Sequence, residues 1–187
     1  MFKKFLICTV ALTSLAQAET LTMDTGASKL VYLAKKVSGE HTGEVKLLNG
    51  KLNFEKNILK TGEFEIDMTT ITNTDIKSGE YHTKFVSHLN NDDFFATDKF
   101  KTAKLVIKSA KKEKGSTYKI TADLTVKGVT APVSFLADIS KEKAQAKVIF
   151  DRTVYGIKYG SGKFFENLGD KMIMDDVQLD VLLIAKK

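Results

Sequence analysis

The side chains that could do chemistry in this chain are few. It has three histidines (His41, His82 and His88), one cysteine (Cys8) and a single arginine, Arg152, among 29 basic residues. His82 and His88 are six positions apart. That puts them on different faces of a helix, without the i, i+4 spacing of a zinc-binding pair. The acidic run Asn90-Asn91-Asp92-Asp93 lacks the spacing and the glycine of a calcium loop and suits a helix cap better. There is no G-x-S-x-G nucleophile elbow, no phosphate-cradling G-x-x-x-x-G-K loop and no dinucleotide fingerprint. An enzyme built on this sequence would act on an amphiphile, with His41, Asp151 or Tyr155 as acid or base and no nucleophile motif behind them.

Cys8 lies in an apolar run, 5–15, that follows Lys3 and Lys4 and precedes Ala16-Gln17-Ala18. A basic start, a short apolar stretch and a small-x-small site read as a signal peptide, 1–18, cut before Glu19. The run is too short for a permanent membrane span. The expected mature domain, 19–187, is then free of cysteine and located in the periplasm, and its core alone must hold it. That excludes a disulfide framework, a thiolate metal site and a cysteine nucleophile. The net charge of +6 rests almost wholly on lysine. Sequence-specific nucleic-acid readers need arginine for bidentate contacts, so nucleic acid is not an expected partner. Scattered lysines keep a surface soluble, and they leave room for a transient attraction to anionic head groups at a membrane surface.

The elements that must position these residues are mostly strands, because apolar residues recur with a period of two. In 117–126, Tyr118, Ile120, Ala122, Leu124 and Val126 share one face. Lys127-Gly128 then reads as a tight turn, and Val129, Ala131, Val133, Phe135, Ala137 and Ile139 share the facing side. Pro132 marks an edge or irregular position. Asn49-Gly50 predicts a hairpin turn between 41–48 and 51–55. Phe64, Ile66 and Met68; Ala103, Leu105 and Ile107; Ala144, Ala146, Val148 and Phe150; and Val177, Leu179, Val181 and Leu183 mark further strands, and 28–37 another. The period breaks in 78–89, where Tyr81, Phe85 and Leu89 predict a helix, followed by a short turn ending in Phe94-Phe95. The predicted fold is all-β: about eight antiparallel strands closed into a barrel, with one helical insertion covering one side. A β-sandwich fits the alternation too.

A barrel of about eight strands is either filled by side chains or holds one small ligand. Small inward residues (Ala103, Ala122, Ala131, Ala137, Ala144 and Ala146) beside aromatic walls suit a long apolar slot. The slot candidates are Phe54, Phe64, Ile66, Phe85, Phe94, Phe95, Leu105, Ile107, Leu124, Phe135, Phe150 and Tyr155. Core packing explains any one of them alone, so the slot is a property of the set. Arg152 continues the inward parity of Phe150 if the strand runs that far. It then either holds a polar head group or makes a structural ion pair with Asp151, Asp170 or another acid. His41 shares parity with Val45 and Leu47, as a satisfied interior histidine or a head-group contact.

Several segments, in order, are similar to motifs of one family. His41-Thr42-Gly43 resembles an H-x-G. His88-Leu89 with Asp93-Phe94-Phe95 resembles H-L-x-x-x-D-F-F. The stretch Leu124 to Val133 resembles an L-T-hydrophobic-x-G-V-T-x-P-V hairpin. Arg152-Thr153-Val154-Tyr155-Gly156 resembles R-[ST]-x-[FY]-G, and 169–181 resembles a last strand. Together they resemble the YceI-like family of exported lipocalin-like, polyisoprenoid-binding proteins. One departure, Asp123 where glycine or asparagine is common, bears on local geometry alone. The resemblance implies an extended antiparallel barrel with a tunnel for a long isoprenoid or fatty-acyl lipid, no metal and no other cofactor, and a homodimer as an open possibility. It carries over no catalytic set. The expectation is a non-enzymatic lipid carrier, with a filled-barrel interaction module as the alternative.

Overall fold

The computed structural model describes residues 18–187. Apart from Ala18, the expected signal peptide lies outside the described residues, as does Cys8. Eight strands follow one another: β1 (Ala18–Lys36), β2 (Gly39–Glu55), β3 (Ile58–Asp67), β4 (Thr102–Lys112), β5 (Thr117–Val126), β6 (Val129–Ile139), β7 (Lys143–Asp151) and β8 (Ile173–Ala185). One helix, α1 (Glu80–Asn90), lies between β3 and β4. Each strand pairs antiparallel with the next, and β8 pairs with β1, so the sheet closes into a barrel. This is the predicted architecture. The sandwich is excluded because no sheet edge separates two layers.

In such a meander the connections alternate between two ends. One end carries the 37–38 turn, the long 68–101 connection with α1, the Lys127-Gly128 turn and the 152–172 connection. We call it the lid end. The opposite end is shut by its own side chains: Met23, Phe54, Leu59 and Tyr118 are buried there, near the β2–β3 and β4–β5 turns.

The β5–β6 hairpin forms as its alternation predicts. Val126 faces Val129 across Lys127 and Gly128, both at positive φ, the geometry that two-residue hairpins require. Asn49-Gly50 does not make the predicted turn. β2 continues through it, with a bulge against β3 between Leu47 and Asn49 and a break in its pairing with β1 between Val45 and Lys51. The turn falls instead at Lys56-Asn57, again both at positive φ. Gly50 has a packing role: a Cβ there would lie 2.7 Å from Cδ1 of Phe64. The missing side chain lets that ring lie flat on the strand, and Asn49 donates to Glu65 Oε2 at 2.7 Å.

The helix is close to its predicted range, but its face differs. Leu89 is buried and Phe85 half-buried, whereas Tyr81, in the N-terminal turn of α1, is exposed. The irregularity signalled by Pro132 is real. β6 and β7 pair only through 137–139 and 144–146 and then splay apart. Pro132 lies in the stretch of β6 that β7 abandons, where it has no N–H to leave stranded.

Candidate functional site

The inward faces of the strands enclose a narrow apolar cavity of about 170 Å³. Its wall comes from every strand, and its roof from Leu89, Phe94 and Phe95 of the lid with Ile157 of the β7–β8 connection and Ile173 at the start of β8. Of the slot candidates, Phe64, Ile66, Phe94, Phe95, Leu105, Ile107, Leu124, Phe135 and Phe150 line it, as does Arg152. Ala103, Ala137, Ala144 and Ala146 line it as well, while Ala122 and Ala131 do not.

Three slot candidates, and His41, lie elsewhere. Phe54 belongs to the plug at the closed end, opposite Leu59 in register. Tyr155 is buried in a short 3₁₀ turn (Arg152–Tyr155), edge-on to Phe150 with ring centroids 5.7 Å apart. That turn packs against β6 where β7 has left it. Phe85 faces the His41 ring at 4.7 Å between centroids, outside the cavity.

His41 itself is turned to the lid, not inward. Its Nδ1–H donates to Asp75 Oδ2 at 2.8 Å, while Asp75 Oδ1 accepts from the Thr42 N–H at 2.9 Å and from Asn73 Nδ2 at 2.6 Å. Partial burial works to raise the Asp75 pKa, but the hydrogen bonds from His41, Thr42 and Asn73 outweigh it and hold the carboxyl below its ordinary range. Beneath this cluster the Tyr32 hydroxyl donates to Thr72 O at 2.8 Å. Burial pushes the Tyr32 pKa up to about 12, so it stays a donor. Gly43 makes the approach possible: a Cβ there would meet Thr72 O at 1.9 Å. The start of the lid is thus clamped onto β1 and β2.

Arg152 resolves in favour of the structural alternative. The strand ends at Asp151, and Arg152 opens the 3₁₀ turn with only 3% of its surface exposed. Its Nε–H donates to Met174 O at 3.1 Å, and Nη1 donates to Ile157 O and Tyr159 O at 2.9 Å each. Nη2 donates to Ile173 O at 3.0 Å and to Asp175 Oδ1 at 3.5 Å. A guanidinium has five N–H groups, and all are engaged. Its ion-pair partner is Asp175, rather than Asp151 or Asp170. Burial lowers its pKa, opposed by Asp175 and Asp151. It stitches the 152–172 connection to β8 and has no donor left for a head group.

Sequence reasoning missed much of the wall that β1, β2 and β8 supply, including Tyr32, Leu47 and Leu52. Val177, Leu179, Val181 and Leu183, read only as a strand face, line the cavity too. The signal was present in their alternation. Among the described residues no cluster of histidine, cysteine and carboxylate suits a metal ion, and no helix is long and apolar enough to cross a membrane.

The profile of the YceI-like domain family matches residues 21–185. A UPF0312 protein of Photorhabdus laumondii is 41% identical over 61 residues, 33% of this chain, and the match spans only 31% of that relative's length. Among solved structures, Burkholderia cenocepacia BcnA superposes with a TM-score of 0.71 at 18% identity, covering 88% of this chain and 99% of its own. A polyisoprenoid binding domain from Saccharophagus degradans, implicated in plant cell wall breakdown, gives 0.60 at 14% identity, with 92% and 99% covered.

Proposed function

The chain belongs to the YceI-like domain family, and from that premise we propose that it is a binding protein that carries a long-chain amphiphilic lipid, of isoprenoid or fatty-acyl type, in its barrel. The observation that carries this reading is the cavity itself, a continuous apolar space lined along all eight strands. A filled-barrel module would lack that space. The Saccharophagus neighbour is described as polyisoprenoid binding, which favours the same ligand class here.

Binding needs no special chemistry. Each methylene removed from water contributes about 0.8 kcal/mol, so chain length dominates affinity. Two polar groups at the wall are committed within the protein, Tyr32 to Thr72 and Arg152 to its five acceptors, while Gln145 is the polar lining residue left to meet a ligand's polar end. The rest of the wall is apolar, so selectivity is mainly for the chain. The protein acts by binding alone, without cofactor or catalysis, and in this reading it does so in the periplasm after loss of its leader. A homodimer and brief contact with a membrane surface belong to the same reading.

Organic extraction of the purified mature protein followed by mass spectrometry tests this directly. A long-chain lipid at near-stoichiometric yield is expected, together with loss of that lipid from Leu124→Glu, which puts a charge into the wall. An empty wild-type protein that also takes up no added isoprenoid or fatty acid would leave the filled-barrel module as the better account.

A further inference from the structure

The connection between β7 and β8 bears a feature the cavity does not use. Phe164 and Phe165 stand side by side with 47% and 49% of their surface exposed, and Tyr159 has 44% exposed. The turn that carries them is fixed. The N–H groups of Phe164 and Phe165 both donate to Ser161 O, at 3.1 and 3.0 Å, and Ser161 is fully buried. Ile173 N–H donates to Gly160 O at 2.8 Å, and Val37 N–H to Met172 O at 3.0 Å, which ties the turn to β8 and to the β1–β2 turn. Val37 is also exposed.

This aromatic turn adjoins the roof of the cavity. Tyr159 lies edge-on to His88 of α1 at 4.7 Å and 5.4 Å from Phe94, whose ring lines the cavity. Cations flank it. Lys158 Nζ sits 4.8 Å over the Phe164 ring. Lys163 is bound to Asp151 and Asp175, whereas Lys158 and Lys171 have no ion-pair partner among the described residues. The acids in the turn are Glu166 and Asp170.

Adjacent phenyl rings held in water on a fixed backbone are an interaction feature. Which partner they fit follows from what surrounds them. A protein partner needs a broad complementary patch, yet the exposed neighbours include Gly162, Asn167 and Gly169, which offer little side chain to pack. A bilayer asks less of shape. Rings sit at the level of the head groups, and lysines lay their stems alongside while their ammonium groups meet anionic phosphates.

We propose that the 158–171 turn is a docking surface for anionic phospholipid bilayers, and that it sets the lid end of the barrel against the membrane. Its purpose, the transfer of cargo between bilayer and cavity, rests on the lipid-carrying reading. Docking itself does not need cargo and is measured without it.

The chain has no tryptophan, so Phe165→Trp places one reporter in the turn. Vesicles of phosphatidylcholine, with and without phosphatidylglycerol, would be co-sedimented with the mature protein at low and high salt. The expected result is binding that favours phosphatidylglycerol, weakens with salt, and drops about tenfold or more in Phe164→Ser/Phe165→Ser. The indole emission of Phe165→Trp should shift to the blue and be quenched by brominated lipid. Circular dichroism should show the same melting temperature for all variants. Equal sedimentation of wild type and double variant, absence of wild-type binding, or unmoved indole emission would each overturn the proposal. So would a double variant that changes from dimer to monomer, which would make the turn an interface between copies. Uptake of cis-parinaric acid in vesicle-free buffer separates the two readings. Uptake without docking sinks the docking surface alone, and docking without uptake sinks the carrier and leaves the surface standing.

Discussion

At the scale of single residues, the polar groups near the cavity act as fasteners. Arg152 satisfies four backbone carbonyls and the Asp175 carboxylate from a position closed to water. Replacing it with methionine strands those acceptors, and removing one partner of a buried ionic network costs about 3–5 kcal/mol. Urea unfolding of Arg152→Met should show a loss of that order. Unchanged stability with altered head-group preference would restore the ligand role that its parity suggests. The clamp at Asp75 makes a pH prediction. Its pKa is depressed in the folded state, so the clamp contributes stability above the unfolded carboxylate value of about 4 and loses it as pH falls through the lower folded value. Asp75→Asn should therefore be less stable than wild type at neutral pH, and the gap should narrow at acid pH. A gap in urea midpoints that stays constant from neutral pH into acid would show that the carboxylate charge is irrelevant.

At the scale of elements, the seam between β6 and β7 is the weak stave of the barrel. Along 129–136, β6 has a partner only on its β5 side, and the Arg152–Tyr155 turn packs against it in place of a strand. Amides that face an unpaired edge open at low free energy. Hydrogen exchange should find the β6 amides directed toward β7 exchanging well ahead of those in the β1–β2 ladder. Protection equal to that of the ladder would mean that the short turn seals the seam as a strand does. This splay was legible only as a hint from Pro132, since the residues of β6 and β7 alternate as regularly as those of any paired strand. The Asn49-Gly50 error has the same root. A turn signal is local, but that glycine answers to the Phe64 ring of the neighbouring strand. Lys56-Asn57, the actual turn, carries a weaker signal than the dipeptide that lost to it.

For the whole molecule, alternation made the strands and their faces readable, because burial on one side of a strand leaves a period of two, whereas closure into a barrel, which a sandwich's alternation would match, rested partly on the family resemblance. The rest depends on contacts between residues far apart in sequence, which no local pattern records. Phe54 alternates like a wall residue and ends in the plug, and His41 has inward parity yet meets Asp75 of the lid. A ligand that binds only the closed barrel must stabilise it as a unit. Saturation at about a hundredfold excess over Kd is worth about 2.7 kcal/mol, or about 5–10 °C in Tm for a domain of this size. Thermal melts with a long-chain fatty acid should show that rise and with a short-chain one should not. Equal shifts for both would point to surface adsorption.

The closure of the barrel by β1 against β8 sets an order of events. Met23 faces Ala185, and Leu30 faces Val181, so the wall is sealed by the two strands farthest apart along the chain. A polypeptide delivered from its N-terminus has seven staves in hand while the eighth is still to come. Until then the future cavity is an open apolar trough, the kind of exposed surface that makes incompletely folded chains aggregate. The closed wall exists only once β8 pairs with β1, so a ligand that needs that wall binds only after the last strand is in place.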